Sequence, residues 1–267
     1  MTLPSSDAII HLQHTIRERY ADHRRILPWR QTTDPYHILV SEIMLQQTQV
    51  DRVIVKYNTW LQRWPTVRHL ASATQADILT AWSGLGYNRR ALNLYKAAQG
   101  IVHDYDGQIL PDEKILLWLP GVGLYTAHAI LAFAYNLEVP VLDINIKRVL
   151  IHSFDLDPKL SDKELRKVAL ACVPIGKSRE WHNALMDYGS LVLHSKKTGI
   201  KSSSQSTFEG SRRQVRGNIV KHLIKQQKAS KKELQKLFPH DERDDIVAKM
   251  IDENIIQQSN PDIFSLA

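Results

Sequence analysis

Two carboxylic acids, Glu42 and Asp143, stand where the local sequence could give them different protonation states. Glu42 has apolar residues at i−4, i−3 and i+3, so in a helix its carboxyl would lie on an apolar stripe. Burial there would raise its pKa and suit a general acid at neutral pH. Asp143 follows an apolar run and is a good candidate for a helix N-cap, whose second oxygen could stabilise a developing cation. Two ordinary alternatives stay open, because a Glu at the edge of a stripe can reach solvent and capping alone would explain the Asp.

A glycine-rich turn precedes an apolar helix at Leu119-Pro120-Gly121-Val122-Gly123. Two glycines at a helix entry allow a tight turn and expose N–H groups, which attract phosphate together with the helix dipole. With the short helix predicted before it, the segment is predicted to form a helix–hairpin–helix that grips one DNA strand without reading its sequence. The loop carbonyls could also hold a monovalent or calcium ion, and an ordinary turn between helices is the alternative.

Two further segments could contact nucleic acid. After Glu42 the chain becomes polar at Gln47 and Thr48, where a core helix would continue with apolar residues. Amides at this point could fill a duplex from which a base has left, or could form a plain exposed segment. Tyr87 and Arg89 follow a glycine turn, and an aromatic ring beside arginines suits base stacking and phosphate contact. A buried tyrosine with solvated arginines is the alternative.

The elements that would position these residues are helices. Apolar residues recur at helical spacing from Asp7 to Leu193, and strand-like alternation is scarce before residue 250. The fold class is therefore predicted to be all-α, with one helical domain over residues 1–194. A Ser-, Lys- and Gly-rich stretch predicts a basic linker over residues 195–213. Three short helical patterns and a hairpin then predict a small winged-helix-like module over residues 214–267.

Charge and composition limit the partners of this chain. The net charge of +7 is local, because Ser195 to Lys236 holds twelve Lys and Arg against two acids. This stretch suggests nucleic acid as a partner, with affinity that falls steeply with salt, or else a solvated linker. No spanning apolar stretch and no secretion signal is visible, so we expect no membrane partner and a cytoplasmic, in a prokaryote nucleoid-associated, location. The one cysteine, Cys172, excludes an internal disulfide, and the histidines show no metal-like spacing.

Together, five segments resemble the helix–hairpin–helix DNA glycosylases, and within them the MutY-type adenine glycosylases. They are Leu-Pro-Trp-Arg, Ser-Glu-Ile-Met-Leu-Gln-Gln-Thr-Gln-Val, Trp-Ser-Gly-Leu-Gly-Tyr, Leu-Pro-Gly-Val-Gly-x-Tyr-Thr-Ala and Val-Leu-Asp-x-Asn-x-Lys-Arg-Val, in this order. The resemblance covers about residues 9–193. It implies two helical lobes with a central cleft, and base excision repair of double-stranded DNA in which adenine is paired with 8-oxoguanine or G. We expect the protein to act as a monomer.

The resemblance also implies a role for each matching residue. Glu42 matches the general acid that protonates N7 of adenine, and Asp143 matches the carboxylate that stabilises the oxocarbenium-like sugar. Tyr125 and Asn145 match residues that position Glu42 and the sugar. The lining of the pocket for the extruded base is matched by Trp29, Arg30, Leu45, Val50 and Asp187. The DNA contacts of the family are matched by Gln47 as a wedge, by Tyr87 as an intercalating residue, and by Gly121 and Gly123 at the hairpin phosphate. The segments around these residues add further candidate DNA contacts at Thr48, Arg89, Val122, Lys147 and Arg148, although solvated side chains would also explain Lys147 and Arg148.

Elementary chemistry agrees with these implied roles. A base inside a duplex cannot be reached, so it must be flipped out at a cost of a few kcal/mol. Adenine leaves poorly unless it is protonated, and the sugar that remains is cationic. One neutral and one ionised carboxyl therefore suit the reaction, as in glycosidases generally.

The chain departs from the family pattern in two places. The family usually has four cysteines for an iron–sulfur cluster after the segment that matches Asp187-Tyr188-Gly189, but Leu193 to Ser206 contains none, so we expect no such cluster. We also expect no Nudix-like C-terminal domain of the kind that reads 8-oxoguanine, because the residues after the predicted linker are too few and too helical for it. This leaves the selectivity for 8-oxoguanine open. Some members carry a short tail that resembles residues 207–217 and a small helical module.

Strand-nicking relatives carry Lys one residue before the Thr-Ala of the hairpin, where this chain has Tyr125, so we predict a monofunctional glycosylase without efficient strand cleavage.

Two other functions stay open at this point. The first alternative is a thymine or uracil glycosylase that acts on mismatches with G, but such relatives generally lack the Glu at position 42. The second is a non-catalytic mismatch-binding protein, which the presence of both carboxylates disfavours.

Overall fold

A computed structural model describes Leu3–Leu193, Ile200 and Thr207–Ala267, so most of the predicted linker lies outside the described residues. In the described ranges, no helix is long and apolar enough to cross a membrane. The helices before residue 194 are α1 (Ser6–His23), α2 (Pro35–Leu45), α3 (Val50–Arg63), α4 (Val67–Ala71), α5 (Gln75–Trp82), α6 (Arg89–Tyr105), α7 (Glu113–Trp118), α8 (Leu124–Tyr135), α9 (Ile144–Ser153), α10 (Asp162–Ala171) and α11 (Ser178–Leu191). A 3₁₀ turn, Pro28–Arg30, separates α1 from α2.

Local signals explain where these helices start. Helix α2 begins at Pro35, whose missing N–H costs nothing in the first turn, and the Asp34 carboxylate accepts a hydrogen bond from the Tyr36 N–H at 2.8 Å. Helix α10 begins with a capping box in which Ser161 and Glu164 exchange hydrogen bonds with each other's backbone N–H. Helix α4 is not predicted by the sequence, because five residues are too few to show a helical period.

The chain folds into two compact units, and the first consists of Met1–Glu42, Leu110–Trp118 and Val122–Ser204. In this unit α11 packs against α1, α8 and α9, and α9 also packs against α10. The side chains that fill its core are apolar and include Ile16, Ile38, Leu39, Leu116, Ile130, Val149, Val168 and Trp181. The apolar stripe that contains Glu42 is therefore a core-facing stripe.

The second unit consists of Ile43–Ile109, Leu119–Gly121 and Gln205–Ala267. Helix α6 packs against α4 and α5 in this unit. Three buried tryptophans pack together in its core, with ring centroids 4.6 Å apart between Trp60 and Trp64 and 5.6 Å apart between Trp60 and Trp82. Edge-to-face packing of this kind adds to the free energy that burial of the rings contributes.

The C-terminal part of the second unit contains α12 (Arg212–Gln226), β1 (Lys228–Ser230), α13 (Lys231–Leu237), α14 (Arg243–Asp252), β2 (Ile256–Asn260) and β3 (Ile263–Leu266). The three strands form an antiparallel sheet in the order β1-β3-β2, with Ala229 opposite Phe264 and Gln257 opposite Ser265. This sequence of elements is that of a winged helix. The three-residue strand β1 is too short for the sequence to reveal, and α12 begins two residues before the predicted start of the module.

The core of this C-terminal part is continuous with that of the helices before it. Ile219 of α12 and Met250 of α14 are fully buried in one cluster that also contains Leu79 of α5 and Leu92 of α6. The Gln75 side chain exchanges hydrogen bonds with Asn254 at the edge of this cluster. The winged-helix-like part therefore shares a hydrophobic core with α5 and α6, and the two would be expected to unfold together.

One glycine controls how closely α9 and α11 approach in the first unit. A Cβ added to Gly189 of α11 would lie 2.3 Å from the carbonyl oxygen of Asn145 and 2.8 Å from its Cβ. Both distances are far below van der Waals contact, so only glycine permits this packing. Gly189 therefore fixes the position of Asn145.

We predict that Gly189→Ala lowers the free energy of unfolding by about 1–3 kcal/mol, because the extra methyl group must push the two helices apart. Urea denaturation measures this change. Gly217→Ala is the matched control, since Gly217 lies inside α12 and an added Cβ meets nothing within 4 Å. The control should raise stability by about 0.5–1 kcal/mol through helix propensity. Equal effects of the two substitutions would contradict the proposed role of Gly189.

Candidate active site

The Glu42 carboxyl is buried in the first unit, with 6% of the residue exposed. Its neighbours along the α2 stripe, Ile38 and Leu39, are buried as well, which removes water from that face of the helix. Burial raises the pKa of Glu42 to about 7, helped by the negative charge of Asp143 and opposed by the hydrogen bond from the Tyr125 hydroxyl and by the charge of Arg30. Glu42 thus holds its proton over a large part of the neutral pH range, as a general acid must.

Asp143 lies close enough to Glu42 for their charges to interact, but it has different surroundings. It is the N-cap of α9, with extended backbone at φ −96° and ψ 179°. One carboxylate oxygen accepts from the Ile146 N–H at 2.7 Å, and the other accepts from the Asn145 side-chain amide at 2.8 Å. Burial raises the pKa of Asp143, while these donors and the charge of Arg148 lower it. Donors that favour the charged form make Asp143 the acid of the pair that ionises first.

A short chain of hydrogen bonds orients the Asn145 amide. The Arg148 guanidinium donates to the Asn145 oxygen at 3.1 Å, so the Asn145 nitrogen must face Asp143. Arg148 is only 7% exposed and also donates to the carbonyl of Ile200. Arg148, predicted to contact DNA, is instead a buried support for the carboxylate. Lys147, predicted to contact DNA as well, forms an ion pair with Asp162 at 2.6 Å.

Asp187, predicted to line the base pocket, is 4% exposed and forms two ion pairs. Arg30 binds it in a bidentate fork at 2.8 and 3.0 Å, and Arg25 donates both its Nε–H and its backbone N–H. Burial alone would raise the pKa of Asp187, but the hydrogen bonds from these arginines lower it. Asp187 thereby orients Arg30, whose charge acts on Glu42. Trp29, the other predicted pocket residue in this unit, precedes Arg30 in the 3₁₀ turn and is buried.

Two supporting residues of the first unit carry no signal in the sequence. Arg25 pairs with Asp187, which lies 162 positions away along the chain. His182 is fully buried, and its Nε2 accepts from the Val141 N–H at 3.4 Å, just before Asp143. Burial lowers the pKa of His182 to about 4, so the ring is neutral and can accept this bond. Both contacts join distant segments, which no local pattern could indicate.

In the second unit, one arginine organises the predicted DNA-contacting loops. The half-buried Arg90 guanidinium donates to two carbonyls in the last turn of α2, those of Ile43 and Met44, at 2.9 and 3.0 Å. It also donates to the Thr48 hydroxyl at 3.0 Å and to the carbonyl of Gly86 at 3.1 Å. A cation at a helix C-terminus satisfies orphan carbonyls and the helix dipole. These hydrogen bonds explain why α2 ends at Leu45.

Two residues at these loop tips have strained backbones. Gln47 has a φ of +56° and Tyr87 a φ of +48°, in the left-handed region that non-glycine residues rarely occupy. Both side chains are exposed, and Arg89 lies beside Tyr87 at the start of α6. Leu45 and Val50, predicted for the base pocket, are half-buried at the two ends of the Gln47 loop. Strain of this kind often marks sites of binding or catalysis.

The two glycines of the predicted hairpin differ in backbone conformation and in what surrounds them. Gly121 has a φ of +83°, and a Cβ there would lie 2.9 Å from the Cβ of Asn93. Gly123 has ordinary extended backbone and precedes α8, and among the described residues no side chain caps that helix. Its N-terminal N–H groups are therefore suited to an external acceptor. The Val122 side chain is buried, so only its backbone can take part in such a contact.

The described residues do not include a group of three or more His, Cys, Asp and Glu that could hold a metal ion. The iron–sulfur cluster that the family resemblance would imply does not fit this chain. Its one cysteine, Cys172, is fully buried, and burial raises the pKa of its thiol to about 12, away from the thiolate that iron requires.

The raised pKa of Glu42 predicts a pH-dependent stability. Its value of about 7 in the folded protein lies above the ordinary 4.5. The unfolded chain therefore releases this proton first, and stability falls as the pH rises from about 4.5 to 7. Glu42→Gln removes the effect, so this variant should exceed the wild type by about 3 kcal/mol at pH 8 and match it at pH 4.

Urea denaturation at both pH values measures the difference in the free energy of unfolding. Glu18→Gln is the matched control, because the Glu18 side chain is 67% exposed, and it should change stability little at either pH. A stabilisation by Glu42→Gln that does not vary with pH would contradict the burial argument.

Comparison with known proteins agrees with this geometry. Residues 40–174 match the family of HhH-GPD superfamily base excision DNA repair proteins. The adenine DNA glycosylase of Mycolicibacterium smegmatis is 38% identical over 222 residues, which are 74% of this chain and 76% of the relative. That of Mycobacterium tuberculosis is 48% identical over 131 residues, or 49% and 43% of the two chains. The human enzyme is 36% identical over 65% of this chain and 34% of its own length. The chain thus spans less than half of the latter two proteins.

Solved structures show the same fold. A thermostable thymine-DNA glycosylase is 29% identical, with a TM-score of 0.66 over 72% of this chain and 90% of its own. A trapped covalent complex of endonuclease III with DNA is 18% identical, with a TM-score of 0.62 over 76% and 92% of the two chains. The predicted fold class and family are confirmed. The chain belongs to the HhH-GPD superfamily of base excision DNA repair proteins and, within it, to the MutY-type adenine DNA glycosylases.

Proposed function

We propose that the protein acts as a monomer on double-stranded DNA and hydrolyses the N-glycosidic bond of adenine paired with 8-oxoguanine or G. One observation carries this proposal: a buried carboxylic acid with a pKa of about 7 lies beside a second carboxyl whose donors favour its ionised form. The names of its relatives agree with adenine as the excised base. The match of residues 40–174 to a family of base excision DNA repair proteins supports DNA as the partner.

The two carboxyls would divide the reaction between them. Glu42 donates its proton to N7 of a flipped adenine, so that the base leaves as a neutral purine when the bond from C1′ to N9 breaks. The bonding electrons go to the base, and the sugar becomes an oxocarbenium-like cation. The Asp143 carboxylate stabilises this cation until water adds to C1′ and loses a proton. Tyr125 holds the Glu42 carboxyl through its hydroxyl, and Asn145 holds Asp143.

Thymine excision is the second candidate, because a thymine-DNA glycosylase is among the structural neighbours. A thymine glycosidic bond does not require protonation at a purine N7. In that case the protonated Glu42 carboxyl would have no catalytic role. Nothing would then offset the free-energy cost of burying this ionisable group beside Tyr125. The first proposal is therefore preferred.

We predict that Glu42→Gln slows adenine release by at least about 100-fold, because the general acid is lost. Single-turnover assays on duplexes that contain A:8-oxoG, A:G, T:G and U:G measure this rate, and Glu18→Gln is the control. The wild-type rate should fall about tenfold per pH unit above pH 7, since only protonated Glu42 is competent. Release of thymine or uracil in place of adenine, or an unchanged rate in Glu42→Gln, would refute the proposal.

We also predict that the abasic product strand stays intact until alkali is added, because position 125 provides a phenol and no amine for a Schiff base. Borohydride trapping during the reaction should give no covalent protein–DNA adduct. Tyr125→Lys is the matched variant, and adduct formation by that variant alone would show that the geometry otherwise permits the attack. Efficient cleavage by the wild-type protein would contradict the assignment.

A further inference from the structure

A polar cavity of about 360 Å³ lies within the second unit, between the two strained loop tips and the C-terminal part of the chain. The loops contribute an amide, an aromatic ring and a guanidinium to its lining, from Gln47, Tyr87 and Arg89. The C-terminal part contributes Arg216 and Glu253. Its volume is at the lower end of the range for small-molecule pockets. A planar polar group the size of a nucleobase suits such a space, because an aromatic face, amides and guanidinium groups all border it.

Helix α12 reaches one wall of this cavity through Arg213. The Arg213 guanidinium donates to the Tyr87 hydroxyl at 2.9 Å and lies 5.7 Å above the ring. The Arg90 guanidinium also lies 5.6 Å from the centroid of the Tyr87 ring. Two cations therefore hold Tyr87 in its strained conformation. Arg213 is a positioning residue for that ring.

One turn further along α12, Arg216 forms an ion pair with Glu253, which directly follows α14. Both side chains are about three-quarters buried, at 23% and 27% exposed, so the pair holds a fixed orientation at the cavity wall. An arginine has five N–H donors, so one ion pair leaves donors for a ligand. The shared core with Leu79 and Leu92 keeps α12 in place against the loops.

The family roles of Gln47 and Tyr87 imply that the base opposite the excised nucleotide lies at this cavity. We propose that Arg216, oriented by Glu253, selects a guanine-type base there. The proposal rests on the function proposed above, since only a flipped nucleotide leaves an unpaired base in the other strand. Guanine presents two neighbouring acceptors, O6 and N7, which a guanidinium fork can bind together. Cytosine presents an amino donor in that place, and thymine has one acceptor beside a methyl group. The winged-helix-like part would thus contribute the reading of the opposite strand.

Binding to a duplex with a tetrahydrofuran abasic analogue tests this without any excision. Fluorescence anisotropy at one fixed salt concentration gives Kd with guanine or with cytosine opposite the analogue. The wild type should prefer guanine, and Arg216→Ala should reduce the cytosine-to-guanine ratio of Kd about tenfold. Arg216→Lys keeps the charge but not the fork, so it should lose the same preference and retain the affinity for the cytosine duplex.

Arg212→Ala is the matched control, because Arg212 lies on the same helix and pairs with Glu242 and Asp245 instead. It should leave the ratio unchanged, and thermal unfolding checks that both variants remain folded. If Arg216→Ala weakens both duplexes equally, Arg216 binds phosphate only and the proposal is wrong. It is also wrong if the wild type shows no preference. Failure of adenine release would instead overturn the proposed function, which this binding assay does not use.

Discussion

A neutral carboxyl and an ionised carboxyl can share one buried site only if the protein gives them unequal electrostatic surroundings. Glu42 is surrounded by the apolar face of α2 and is held by a phenol, so its charged form is disfavoured. Asp143 stands at the N-terminus of α9, where a backbone N–H, an amide and the helix dipole all favour the negative charge. Other residues of the first unit maintain this difference. Arg148 orients the Asn145 amide, and the missing side chain of Gly189 leaves room for Asn145 to pack against α11.

Several charged side chains of the described residues take partners that lie far away along the chain. Asp187 is enclosed by two arginines, and Arg90 replaces the missing hydrogen-bond partners at the end of α2. A buried ion pair contributes little net stability, because desolvation offsets most of its attraction. What it contributes here is position. Arg90 holds the loop that contains Thr48, and Arg30 joins the short 3₁₀ turn to Asp187 of α11, so each cation fixes the geometry of a connection between helices.

The C-terminal part has a charge distribution that affects how it could meet DNA. Helix α14, the third helix of the winged-helix arrangement, carries Asp244, Asp245 and Asp252 against Arg243 and Lys249, so it is not basic. The positive charge lies in α12 and α13. Any attraction to phosphate must therefore come from those helices and from the linker, and not from a recognition helix in the usual place.

The sequence alone was sufficient for the longer helices and for the candidate roles that depend on residues close together along the chain. Helical periodicity predicted the all-α body, and Asp143 was a good candidate for a helix N-cap. The run around Glu42 placed its carboxyl on an apolar stripe, with escape to solvent as the alternative. Each of these follows from interactions between residues at most four positions apart. The family resemblance supplied the roles of the matching residues, since spacing could not choose between a cap and a catalytic group.

Only the tertiary structure decided which charges are available. Local spacing does not distinguish Arg25, Arg30, Arg90 and Arg148. Folding buries Arg148 and half-buries Arg90, so that both support other segments, and it brings Arg25 and Arg30 to Asp187. Folding also joins α12 to the core of α5 and α6, a contact that amino-acid composition along the chain cannot reveal. The physical reason is that a desolvated charge takes whichever partner the fold brings near, and that partner is usually far away along the chain.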